Sequence, residues 1–322
     1  MSVRPAIERH ATGCDCHACS LPRELTADEN GYALDESGRL DPTQTTTLQR
    51  RYARWLRGRI EELDADIRDL IYEQDAFGLG DGPGGRWADR DAASQARAFD
   101  EWLRDTLDED VLDPHDSRQV REWFEQAAKR GIRDAQSDLR DAAERSLAAG
   151  DIDREEYEAL LADQPDIDDR VDETAVQDAV NLRMEDARQH VESNLEDFAG
   201  EARQLVTAGL AAGVGRSVLA RDIVERGQVA KSNVTASAAG EIVNTFNSRK
   251  IGEWDRVEAD LEIETEVEHV DAGDEKVCDF CLERSAESWT FEDAKAEADA
   301  GNPPWHSYCR CTWRITQVSN VL

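Results

Sequence analysis

Val277-Cys278-Asp279-Phe280-Cys281 and, further along, Pro303-Pro304-Trp305-His306-Ser307-Tyr308-Cys309-Arg310-Cys311-Thr312 place four thiols and one imidazole within thirty-four residues. A C-x-x-C pair turns two sulfurs toward one point, and His306-x-x-Cys309 supplies a second pair able to close a tetrahedron around Zn²⁺. The competing reading is four ordinary buried thiols, since free cysteine packs as a small hydrophobe. Their crowding in a chain otherwise poor in cysteine favours zinc.

Five candidates, Cys278, Cys281, His306, Cys309 and Cys311, compete for four positions. Cys311 follows Cys309 after one residue. In an extended segment its sulfur would lie roughly 6–7 Å along the strand, whereas tetrahedral ligands at Zn–S of about 2.3 Å stand under about 4 Å apart. His306 therefore ranks above Cys311 for the fourth place. Arg310 is expected to hydrogen-bond thiolates or carbonyls around the centre. A hydrolytic zinc keeps an open position for water, but here sulfur-rich ligands can fill the shell, so the ion reads as structural. The H-x-E and P-C-x-x-C order of zinc deaminases is absent, and no Ser/His/Asp or Cys/His catalytic set can be drawn from six scattered histidines.

Around this centre the texture is that of strands. Leu261-Glu-Ile263-Glu-Thr265-Glu-Val267-Glu-His269-Val270 alternates with period two, one face apolar and the other acidic, which predicts a half-buried strand. Residues 288–291 form a second strand candidate, 292–300 a helix ended by Gly301, and 311–318 a third strand.

Upstream the period changes to that of helices. Leu48, Tyr52, Trp55, Leu56, Ile60, Leu63, Ile67, Leu70 and Ile71 recur at three- and four-residue steps and predict a long amphipathic helix over 45–74. Its arginines, Arg50, Arg51, Arg54, Arg57 and Arg59, are expected to pair within the helix rather than to meet nucleic acid. The glycine-rich run 78–85 lacks a Lys-Ser/Thr pair and reads as a loop, not a phosphate cradle. Further helices are predicted over 89–107 and 117–147, with Ser117 as an N-cap after Asp113-Pro114. An acidic link follows over 150–172, containing a small helix and a turn. A long heptad-like helix is predicted over 173–209. After the turn 209–217, a short helix over 218–226 and a longer one over 232–259 are expected.

At the other end, Cys14, Cys16 and Cys19, with His10 or His17, have the spacing of a second zinc clip. A disordered, reactive tail is the alternative. Seven cysteines at the two ends of a chain with no expected export signal read as reduced metal ligands, not disulfides. The formal net charge is −33, from 71 acidic against 38 basic residues, few of them lysine. Such acidity suits a salt-rich host, where self-repulsion is screened within about 3 Å, and it disfavours broad contact with nucleic acid. No apolar run reaches membrane-spanning length, so no membrane partner is expected.

Asp274-Glu275-x-x-Cys278-x-x-Cys281, followed by Pro-Pro-x-His306-x-x-Cys309-Arg310-Cys311-Thr312, resembles the C-terminal signature of the phage Mu F-like minor head proteins, the head morphogenesis proteins of tailed viruses. Gly240-Glu241-Ile242-Val243-Asn244-Thr245, on a helix ending near Trp254, resembles the helix before that signature. The resemblance covers residues 205–318. It departs from the family pattern where Arg284-Ser285-Ala286 replaces an Asp-Gly turn, and where an Arg-Thr-Glu helix motif is only partly present.

The expected architecture is α+β, mainly α: an N-terminal Cys/His segment over 1–44, a helical assembly region over 45–204, and a Mu F-like domain over 205–322 ending in a zinc-stabilised strand module. The resemblance implies a non-enzymatic virion protein of a tailed virus, and the acidic composition points to a haloarchaeal or similar host. It implies production in the host cytoplasm and incorporation at or near the portal in several copies. Portal protein, major capsid protein and packaged DNA are its implied partners. The alternative is a zinc-dependent nucleic-acid-binding or processing enzyme built on the same module.

Overall fold

The computed structural model describes residues 41–78, 91–162, 164–273, 277–306 and 309–320. The order is α1 (Thr46–Arg68), α2 (Ala92–Leu107), α3 (Arg118–Ala149), α4 (Arg154–Ala162), α5 (Ile167–Asp172), α6 (Thr174–Ala212), α7 (Arg216–Leu261), β1 (Ile263–Val270), α8 (Asp279–Ser285), β2 (Trp289–Thr290), α9 (Phe291–Asp299) and β3 (Thr312–Asn320). This is the mainly α, α+β arrangement expected, with strands confined to the C-terminal module. Among the described residues no helix is long and apolar enough to cross a membrane.

The chain forms two compact units that interleave in sequence. One comprises residues 1–50, 121–184 and 239–322; the other comprises 51–120 and 185–238. In the second unit the predicted stripe of α1 is buried, with Tyr52, Leu56, Ile60, Leu63 and Ile67 at most 1% exposed. A π-helical turn over Asp69–Glu73 ends that helix and keeps Ile71 inside. Of the predicted arginine pairs, Arg59 bridges Glu62 at 3.4 Å, one turn on. Phe77, Phe99 and Trp102 pack together with centroids 5.6–5.9 Å apart. The 79–85 part of the glycine-rich run lies outside the described residues, as do Cys14, Cys16, Cys19, His10 and His17.

Two expectations about helix boundaries are corrected. The short and long helices expected over 218–226 and 232–259 are one continuous helix, α7, of 46 residues. Gly227 falls in the gap between those two segments. Instead Ile223, Ala230 and Val234 continue the buried stripe through it, and a Cβ on Gly227 would lie 2.9 Å from Asp64 Oδ1. That glycine serves close packing, not chain reversal. The acidic link also holds a helix that the periodicity did not reveal, α5, whose N-cap Asp166 accepts from the amides of Asp168 and Asp169. Six residues are too few to display a 3.6-residue period, so the cap is the stronger signal. The predicted cap on α3 is present, with Ser117 Oγ accepting from Val120 N at 3.4 Å.

In the first unit, α3 and α7 approach at Gly131, where a Cβ would stand only 2.3 Å from the Phe246 carbonyl oxygen. That approach brings Lys250, fully enclosed, between Asp134 and Asp138; its Nζ is 2.7 Å from Asp138 Oδ2 and 5.1 Å from the Trp254 ring centroid.

The three strands form one antiparallel sheet in the order β2-β1-β3. Ile263, Thr265, Val267 and His269 point inward, as the period-two pattern requires. The register runs from Ile263 opposite Asn320 to Val270 opposite Thr312, with an irregularity between Glu266 and Val267. Arg145 of α3 donates to the Ile315 and Thr316 carbonyls at 3.1–3.3 Å, and Ser146 Oγ accepts from Val318 N at 3.1 Å. Helix α3 therefore satisfies polar groups that the β3 edge would otherwise leave open to another strand.

Candidate metal centre

The first pair of thiols does not sit on a bare turn. Cys278 is the N-cap residue of α8 and Cys281 lies in the first turn of that helix. Helical geometry turns the two sulfurs to one side. The second set arrives on the segment between α9 and β3, which carries His306, Cys309 and Cys311 into the core around Trp305 and Trp313.

The five candidates converge. His306 Nε2 lies 3.2 Å from Cys278 Sγ and 3.1 Å from Cys281 Sγ, and Cys281 Sγ lies 4.0 Å from Cys309 Sγ. Their ligand atoms fall into two overlapping groups, Cys278-Cys281-His306 and Cys281-Cys309-Cys311, with every pair in a group within 4.8 Å. Cys281 belongs to both. A tetrahedral zinc shell sets S···S near 3.8 Å and N···S near 3.5 Å, about what bonds of 2.3 and 2.0 Å dictate. The donor set fits such an ion in kind and in spacing. Cys281, Cys309 and Cys311 are each 2% exposed, so ligands from those positions would hold an ion away from solvent.

The spacing argument against Cys311 does not hold. Its sulfur lies within 4.8 Å of that of Cys309, because residues 309–311 are not in extended strand conformation and β3 begins only at Thr312. Cys311 therefore comes close enough to Cys281 and Cys309 to stand as a candidate beside His306.

The electrostatics alternate around the cluster. Hydrogen bonding from Cys281, then from His306, outweighs burial and pulls the Cys278 thiol down to about 4. Burial opposes ionisation of Cys309, but hydrogen bonds from Cys281 and Cys311 outweigh it and hold that thiol well below its ordinary value. Hydrogen bonds to Cys278, Cys309 and Cys311, with burial, push Cys281 up. At Cys311 the bond with Cys281 pulls downward, but the Cys309 thiolate and burial prevail and raise it. A cation held by these thiols would displace their remaining protons to solvent.

Residues that no motif revealed hold this arrangement. Asn247 of α7 donates through Nδ2 to the Pro303 and Cys311 carbonyls at 3.3 and 3.2 Å, and its Oδ1 accepts from Thr312 Oγ1 at 2.7 Å. It fastens the ligand-bearing segment at both ends. The signal was an asparagine on the buried stripe of a long helix, where an amide must find partners.

His269 is the second. Trp305 Nε1 donates to His269 Nε2 at 2.9 Å. An indole nitrogen can only donate, so Nε2 is the lone-pair nitrogen and Nδ1 carries the proton. Nδ1–H then faces Ser285 Oγ at 3.0 Å, and Ser285 passes its own hydrogen bond to the Cys281 carbonyl at 3.1 Å. His269 and Ser285 line a cleft of about 270 Å³ beside Pro42, Glu268 and Arg314. Because the imidazole gives its proton to the hydroxyl, it has no lone pair to activate it, and the two are not a nucleophile–base pair.

Arg284 is the third. Its guanidinium stacks over Trp305 at 4.9 Å, Phe280 at 5.3 Å and Trp289 at 5.4 Å. Arg284-Ser285, where the family pattern has a small turn, thus extends α8 and supplies contacts that brace both ligand segments.

The fold and the cluster define a class: a mainly helical protein ending in a small strand module whose thiols and imidazole are placed to close around a metal ion. Residues 201–314 match the family described as Phage Mu protein F like protein, so that stretch is similar to the phage head morphogenesis proteins of that family. No curated protein and no solved structure matches the chain.

Proposed function

We propose that this chain is a minor head protein of a tailed virus, incorporated in several copies at or near the portal vertex, with its C-terminal module held by a structural Zn²⁺. The Mu F-like match over residues 201–314 carries the reading. The metal assignment rests on the convergence of Cys278, Cys281, His306, Cys309 and Cys311 within two groups that share Cys281. Three or four thiolates donate enough charge to blunt Lewis acidity, and the shell can be filled from the chain itself. The ion's role is then to order the segment between α9 and β3, much as structural zinc orders small modules elsewhere.

In this reading the helical units supply contacts to portal and capsid subunits, and the metal module is a rigid docking piece. The net charge of −33 belongs to a virion assembled in a salt-rich cytoplasm. Packaged DNA is a partner only through local contacts, because the global charge repels phosphates.

The test is co-purification from virions. The full chain is expected to remain with portal and capsid subunits through high-salt washes and to carry about one equivalent of zinc by elemental analysis of its C-terminal cluster. Recovery of the chain only among soluble host-cell proteins, or metal-dependent cleavage of DNA lost in His306→Ala with the fold intact, would overturn the proposal.

A further inference from the structure

We propose that Lys250 of α7 and Asp138 of α3 condense to an isopeptide bond in the folded chain, with Asp134 taking the proton of the amine. The inference is independent of the metal centre and of the viral reading. All three residues lie in the first compact unit.

The groups of an amide-forming reaction meet here. Lys250 Nζ donates to Asp134 Oδ2 and stands 2.7 Å from Asp138 Oδ2. The second approach is not aligned as a hydrogen bond, for among the described residues Asp138 Oδ2 accepts none. The carboxyl carbon of Asp138 is therefore one bond beyond an oxygen that the nitrogen already touches.

The helices, not the three side chains, set this placement. Gly131, Asp134 and Asp138 share one face of α3, and Phe246, Lys250 and Trp254 share one face of α7, by their three- and four-residue steps. Gly131 admits the Phe246 carbonyl, and Trp254 Nε1 donates to the Ala135 carbonyl at 3.1 Å, so the register of the two helices is fixed on both sides of Lys250. The Phe246 and Trp254 ring centroids lie 5.9 and 5.1 Å from Nζ, and the lysine side chain is 2% exposed. A nucleophile and an electrophile held in contact react as one molecule, with the entropy of encounter already lost in folding. Asp134 and Asp138 keep side-chain exposures of 20% and 15%, an edge by which a small product can leave.

The ionic triad is the starting state. Burial pushes Asp138 up to about 7, so near neutral pH much of it is the carboxylic acid, whose hydroxyl can depart. Asp134 accepts one proton from the Lys250 ammonium, and the freed lone pair attacks the Asp138 carboxyl carbon. The Nζ–Cγ bond forms, the bond from Cγ to the hydroxyl oxygen breaks, and that oxygen leaves as water with a second proton from the nitrogen. Ammonium, carboxylate and acid become a neutral amide, a protonated Asp134 and one water, with charge conserved and nothing oxidised. The product also removes a buried ion pair, which is costly to keep from solvent.

Intact-mass spectrometry of the full, denatured chain tests this. A measurable fraction of wild type is expected to be lighter by one water, and trypsin should release peptide 134–140 joined to peptide 250–256. Lys250→Arg keeps the charge and should show no such loss, and Asp134→Asn, which keeps both bonding partners, should show at least ten-fold less. Wild type found wholly at its sequence mass overturns the proposal, whether or not a variant folds. So does a water loss that persists in Lys250→Arg, maps to other peptides, or is undiminished in Asp134→Asn.

Discussion

Trp305 donates its indole N–H to His269 Nε2 at 2.9 Å, joining the segment that carries His306 to the inward face of β1. The bond chooses the tautomer of His269 and, through Ser285, ties β1 to the carbonyl of a candidate metal ligand, Cys281. The aromatic rings around it, Trp289, Trp305 and Trp313, have centroids 5.0–6.5 Å apart and pack against one another.

Trp305→Phe keeps most of the packing and removes the donor. It leaves His269 Nε2 buried and unpaired, which costs about 1–3 kcal/mol. Urea denaturation of the two proteins at pH 7.5 measures the difference. Burial holds His269 below its ordinary value. A depressed imidazole contributes stability that is present above the unfolded pKa of about 6.5 and lost as pH falls through the folded value. Stability of the wild type should therefore decline on acidification below pH 6.5, and His269→Gln should decline less.

Cys281 is shared by both ligand groups, so its replacement should do more than that of any other thiol. Cys281→Ser is expected to lose bound metal and to lower the melting temperature as much as exhaustive chelation does in wild type. Cys311→Ser and His306→Ala should each retain a larger share of the metal, because a fifth donor remains to complete four-fold coordination. Elemental analysis alongside a thermal melt reads both quantities.

Asn247→Leu tests the clamp that is not a ligand. It strips partners from the Pro303 and Cys311 carbonyls and from Thr312 Oγ1 at once. The expected loss is about 2–4 kcal/mol, with metal affinity lowered about 10-fold or more, as for other residues that orient ligands from behind. Competition with a chelator of known affinity gives the second number.

Lys250 sits fully buried between two carboxylates. Burial alone would lower it, but Asp134 and Asp138 outweigh burial and raise it. Burial also pushes Asp138 up to about 7, with Lys250 opposing and Asp134 adding. A raised carboxyl contributes stability present below its unfolded pKa and lost as pH climbs through the folded value. The protein should thus be less stable at pH 8.5 than at pH 6, and Asp138→Asn should flatten that slope. Lys250→Ala leaves two buried carboxylates facing each other and is expected to cost about 3–5 kcal/mol at pH 8, measured by denaturant titration.

The sequence alone determined the long helices and the strands of the C-terminal module. Apolar steps of three and four along 45–74 and alternation along Leu261–Val270 each bury one face, and burial is the dominant favourable term. It also pointed to Cys278, Cys281, His306 and Cys309 as donors that would meet, because thiols and imidazole at those spacings are rarely brought together otherwise. Only the tertiary structure decided that Gly227 continues a helix, since Asp64, far away in sequence, makes the glycine necessary. Only it decided that Cys311 reaches the cluster, because Asn247, far away in sequence, holds the Cys311 carbonyl in place just before β3. Periodicity is a property of one segment and can be read along it; competition among side chains from different segments is settled only when they are brought together.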